Sequence, residues 1–74
     1  MTTTRPSHVI PTASESAAVA EMLDRRGLAA TMAAIGLGRH TVQRLRGRLP
    51  VHRGSLTQLR LALRLQAAQR ERQP

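Results

Sequence analysis

Not one of the 74 residues is Phe, Tyr, Trp or Cys, and this absence constrains the fold more than any motif does. A chain of this length buries only about 60% of the surface its unfolded form exposes. The core must therefore be assembled from Leu, Ile, Val, Met and Ala. Helices pack such side chains more readily than short sheets, whose strands favour β-branched and aromatic residues. Without cysteine there are no disulfides and no thiolate zinc sites. The reading is an all-α domain.

Apolar spacing and caps divide the chain. Residues 1–11 hold Pro6, Pro11 and several Ser and Thr without an apolar period, and read as a flexible arm. Thr12 or Ser14 can cap a first helix, Glu15 completing a Thr-x-x-Glu capping box from Thr12, and Val19, Met22 and Leu23 share one face. Gly27 is placed to end it. A second helix fits 28–35, with Leu28, Met32 and Ile35 inward, and Gly36 stops it. A third runs over about 39–48, with Val42, Leu45 and Leu49 inward and Pro50 beyond it. Residues 51–54 read as a loop. Ser55 and Gln58 read as a second capping box, opening a last helix before a polar tail at 70–74. The expectation is a compact bundle of four or five short helices over 12–69.

Charge points to the class of partner. All twelve basic residues are Arg, against four carboxylates, giving a net charge of +8. Between Asp24 and Glu71 there is no carboxylate and there are ten Arg: 25, 26, 39, 44, 46, 48, 53, 60, 64 and 70. Crowding of one sign repels itself unless a polyanion neutralises it. Nucleic acid is the leading partner and an anionic membrane surface the rival. No apolar run approaches the ~20 residues of a membrane span, and residues 1–14 lack the apolar centre of a signal peptide. A cytoplasmic location is expected, with no membrane.

The stretch GLGRHTVQRLRG, residues 36–47, carries the sharpest signal. On a helical wheel Val42 and Leu45 fall on one side. His40, Gln43, Arg44 and Gly47 fall opposite, with Arg39 at the edge. Arg can bind guanine O6 and N7 as a fork, and Gln can bind adenine N6 and N7. Gly36 can take the positive φ of a tight turn between helices.

With its flanks, MAAIGLGRHTVQRL resembles the helix-turn-helix of phage repressors and Cro-like regulators: apolar, Gly, apolar, small residue, then Thr-Val-x-x-Leu. The resemblance covers about residues 28–63. It implies that Gly38 opens a recognition helix whose Arg39, His40, Gln43 and Arg44 face bases, while Val42 and Leu45 face the core. The chain departs from the family's usual pattern at Met32, Leu28 and Gly47. Beside this helix, Arg46, Arg48, His52 and Arg53 are expected to hold phosphates, as are Arg25 and Arg26. The last helix carries leucine on two sides. Leu56, Leu59 and Leu63 form one stripe, and Leu61, Leu65 and Ala68 form the other, expected as a homodimer seam.

Catalysis is not expected. The histidines at 8, 40 and 52 form no ligand spacing, the carboxylates have no apolar pocket, and Thr41 and Ser55 lack a base partner. No metal, cofactor or small-molecule ligand is expected. The resulting expectation is a sequence-specific double-stranded DNA-binding transcriptional regulator, most simply a repressor of the phage or plasmid type, since so short a chain has no room for a ligand or activation domain. The alternatives are an antitoxin or assembly adaptor acting by protein contact, and a basic helical RNA-binding module. The missing aromatics argue against single-stranded RNA, whose bases stack on rings.

Overall fold

The computed structural model describes residues 7–72. These run as β1 (His8–Val9), α1 (Ala13–Ile35), α2 (Arg39–Arg46), β2 (Val51–His52) and α3 (Arg53–Arg72). The protein is mostly helical, with three helices and a two-stranded antiparallel sheet that pairs His8 with His52 and Val9 with Val51.

α1 begins as the sequence dictates. The Glu15 amide donates to Thr12 Oγ1 at 3.1 Å, and the Thr12 amide donates to Glu15 Oε1 at 2.8 Å. Two of the orphan donors of a helix start are thereby satisfied. The expected boundary at Gly27 is a kink rather than an end, which is why three helices stand where four or five were expected. Gly27 adopts φ 82° and ψ 173°, and helix resumes at once beyond it. Thr31, fully buried, donates its hydroxyl back to the Gly27 carbonyl at 2.8 Å.

At its far end α1 closes on Gly36, at φ 79°, whose amide donates to the Met32 carbonyl at 2.7 Å. The Gln58 amide of α3 completes this closure. Its Nε2 donates to the Ile35 carbonyl at 3.1 Å and to the Gly36 carbonyl at 3.3 Å. Gln58 therefore does not cap its own helix. α3 already begins at Arg53, whose carbonyl accepts from the Thr57 hydroxyl at 3.0 Å, and Ser55 lies inside the first turn.

The core gathers Val19, Met22, Ile35, Val42, Leu45, Val51, Leu56, Leu59 and Ala62, with Leu23, Leu28, Met32 and Leu63 packed against it. Leu49 is a correction. Expected inside, it is 48% exposed, because α2 ends at Arg46 and the chain turns before reaching it. The segment read as an arm is also partly structured. Residues 1–6 lie outside the described residues, but His8–Val9 pairs with β2 and Pro11 is fully buried. The Arg53 amide donates to the Ser7 carbonyl at 3.2 Å, so residues 51–54 are strand and helix start rather than loop. Glu15 ties this layer to α3 through Arg60, whose Nε donates to Glu15 Oε2 at 2.6 Å.

Two expected outcomes follow from these closures. A Cβ at Gly36 would stand 2.5 Å from Gln58 Nε2, at a φ that L residues avoid. Gly36→Ala should therefore cost about 2 kcal/mol, from left-handed strain plus loss of the amide bonds. In a domain this size that lowers the melting temperature by about 10 °C. Adding Gln58→Ala should cost less than the sum of the two single changes, since both remove the same bonds. Additive melting shifts would show that the two residues act separately.

The second outcome concerns acid. Arg60, bonded to its carboxylate, holds the Glu15 carboxyl below the usual carboxylate range, and the Thr12 bonds help. A carboxyl with a lowered folded pKa contributes stability that is present above its unfolded value, near pH 4, and lost as pH falls through the folded value. Denaturant midpoints measured between pH 6 and 2 should fall more steeply for wild type than for Glu15→Gln. Parallel curves would contradict it.

Candidate nucleic-acid interface

α2 is eight residues long, about 12 Å, with a sharp division of faces. Val42 and Leu45 are completely buried, while Arg39, His40, Gln43, Arg44 and Arg46 are exposed. The division follows from the 3.6-residue period, which sets the two apolar side chains three apart on the core. Gly38 is the N-cap, in extended conformation at φ −74° and ψ 167°, with no side-chain cap bond. A Cβ there would meet nothing within 4 Å, so neither its backbone nor its surroundings require glycine.

The exit of α2 differs from the expected one. The left-handed position belongs to Arg48, at φ 56°, rather than to Gly47 at φ −84°. The Leu49 amide donates to the Arg44 carbonyl at 2.8 Å and the Arg48 amide to the Leu45 carbonyl at 3.2 Å. This pair of bonds is a Schellman closure, which usually places glycine where Arg48 stands. The strain is offset by the side chain, whose Nε donates to the Pro11 carbonyl at 2.9 Å. Arg48, expected to hold a phosphate, thus has a structural bond of its own.

The four expected base-facing residues all lie on the exposed side of one helix. Arg44 is the only one with a side-chain hydrogen bond among the described residues. Its Nε donates to the Pro50 carbonyl at 2.8 Å, which leaves its terminal nitrogens as the donors available to a ligand. His52, exposed on β2, faces His8 across the sheet with ring centroids 4.3 Å apart. Arg53, next to it, is exposed at the start of α3. Arg46, Arg48, His52 and Arg53 thus border the segment leaving α2. Arg25 and Arg26 do not join them: they lie at the kink of α1, against Gln66, Gln69 and Arg70 of α3. Arg25 also pairs with Glu21 at 3.2 Å.

Leu61 and Leu65 are 55% and 57% exposed, and Ala68 beside them is exposed. With Ala34, Ile35 and Ala62 the two leucines line a groove of about 460 Å³ between α3 and the second half of α1. Among the described residues, no three His, Cys, Asp or Glu side chains gather where they could hold a metal ion. No described helix is long and apolar enough to cross a membrane.

Spacing along the chain carries no signal for the crossing bonds of Gln58, which close the turn leading into α2. No family model, curated protein or solved structure matches this chain.

A comparison of two arginines tests the assignment at the exit. Arg48→Ala keeps the left-handed strain and removes the bond to Pro11, so it should destabilise the fold by about 1 kcal/mol. Arg46→Ala, with no side-chain bond to lose among the described residues, should leave the melting temperature within about 2 °C of wild type. Equal melting shifts would remove the structural role of Arg48.

Proposed function

We propose that the protein is a sequence-specific double-stranded DNA-binding regulator that inserts α2 into the major groove. The supporting observation is the division of that helix: Val42 and Leu45 wholly buried, Arg39, His40, Gln43 and Arg44 exposed on one rigid element. A helix fits the major groove, where arginine forks and glutamine amides match base-edge patterns. Arg46, Arg48, His52 and Arg53 would contact phosphates on the flank, with Arg48 using the nitrogens that its bond to Pro11 leaves free. The net charge of +8 supports a polyanionic partner over a basic or neutral one.

Eight residues of helix reach only a few base pairs, so two copies on one site would supply the reading length of an operator. The exposed Leu61, Leu65 and Ala68 are the surface proposed to join them. Repression is the mode proposed, because blocking a promoter needs nothing beyond occupancy. Such action belongs in the cytoplasm of a bacterial or phage-infected cell.

One experiment addresses reading and symmetry together: selection of bound duplexes from a random pool, followed by titration. The expected product is an inverted repeat with half-sites about one helical turn, ~34 Å, apart. On the selected site Arg44→Ala should lose about 1–3 kcal/mol and relax preference at one base pair. If about six phosphates are neutralised, log affinity should fall against log salt with a slope near −5. A pool that returns no common sequence would refute base reading, and one that returns an unrepeated motif would refute the two-fold arrangement.

A further inference from the structure

A second basic surface lies away from α2. Arg25 and Arg26, on the last turn before the Gly27 kink, and Arg70 of α3 line one cleft of about 270 Å³, together with the amides of Gln66 and Gln69. The five side chains come from two helices and offer hydrogen-bond donors throughout. Among the described residues no carboxylate lines the cleft. Glu21 pairs with Arg25 at 3.2 Å, and Arg26 and Arg70 have no ion pair among the described residues. Asp24 and Glu71 adjoin these arginines in sequence without pairing to them, so an anion seated between the three guanidiniums would meet favourable charge at short range. Arginine forks bind tetrahedral oxyanions with two parallel N–H bonds each, and glutamine amides add neutral donors to the remaining oxygens.

We propose that this cleft is a binding site for phosphate-type oxyanions, supplied either by the backbone of bound nucleic acid or by a free polyphosphate. The site rests on its own chemistry, and only the nucleic-acid source depends on the reading of α2. Arg26 and Arg70 are the principal ligands, because Arg25 is already partly neutralised. The kink serves the site directly. Gly27 breaks α1 immediately after the two arginines, so they stand at a bend facing the far half of α3 rather than along a straight helix.

The test compares Arg26→Ala and Arg70→Ala with Arg64→Ala, a charge-matched change of an exposed α3 residue outside the cleft. The full chain is titrated calorimetrically with pyrophosphate, and separately with a random-sequence duplex at several salt concentrations. Wild type and Arg64→Ala should bind pyrophosphate alike, while the two cleft variants lose about tenfold each. If the source is nucleic acid, each cleft variant also makes the salt slope shallower by about 1, and Arg64→Ala does not. Loss of pyrophosphate binding with unchanged duplex slopes identifies a free polyphosphate site. Loss of slope without measurable pyrophosphate binding identifies a duplex contact. If Arg70→Ala and Arg64→Ala behave alike in both titrations, the effect is general charge and the proposal falls. Failure of the α2 reading would appear differently, as a duplex with no preferred sequence, and would leave the pyrophosphate result standing.

Discussion

The direction of α2 depends on one side-chain amide. α1 ends in a left-handed Gly36, and the carbonyls of Ile35 and Gly36 both accept from Gln58 Nε2, 23 and 22 positions along the chain. A helix end leaves carbonyls that water, a cap or another side chain must satisfy. Here the satisfying group arrives on α3, whose Leu56 and Leu59 are buried one on each side of Gln58 in sequence. Docking of α3 and closure of α1 are therefore one event. With no aromatic residue to fill and orient the core, directional polar bonds at its edge take over part of the task of fixing element angles.

The same logic holds at the other end of α2. Its exit is closed by backbone bonds from Arg48 and Leu49, and the Arg48 side chain reaches the Pro11 carbonyl, 37 positions away. Pro11 is itself buried between β1 and the Thr12 cap. The Glu15 carboxylate serves twice, with one oxygen on the Thr12 amide and the other on Arg60. α2 is thus held at entry by a clamp to α3 and at exit by a clamp to the N-terminal segment. An eight-residue helix would be marginal alone, and these two clamps explain how it can present a fixed surface.

The parts legible in the sequence were those decided within a few residues. The Thr12–Glu15 box, the break at Gly27, the turn at Gly36 and the buried Val42 and Leu45 all rest on local spacing. The role of Gln58 is not legible locally, because Ser-x-x-Gln has the same letters whether the amide turns back on its own helix or crosses to another. The strands were missed because two residues are too few to show alternation, and their pairing joins positions 44 and 42 apart, His8 to His52 and Val9 to Val51. The helical period, continued past Arg46, predicts Leu49 in the core, where the structure leaves it 48% exposed. The helix stops at Arg46, where closure on Arg48 competes successfully with Pro50 as the terminator. For the candidate site, exposure followed from the period, while the separation of Arg25 and Arg26 from the α2 surface required the tertiary fold.

Arginine identity, and not charge alone, reconciles a tethered surface with an available one. Arg44, Arg48 and Arg60 each bond the protein through Nε: to the Pro50 carbonyl, to the Pro11 carbonyl and to the Glu15 carboxylate. A guanidinium carries five N–H donors in a rigid plane, so engaging Nε leaves the donors of the terminal nitrogens free. Each of these side chains can therefore be fixed in direction by the fold and still offer hydrogen bonds outward, which lowers the entropy lost when a ligand is engaged. Lysine has a single nitrogen on a flexible stem. An ammonium bonded to Pro50 or Pro11 could not also present a fork, and one facing outward would leave the closure without its side-chain bond. The exclusive use of arginine thus fits a small domain in which the same side chains hold the edges of the core and keep donors free at the surface.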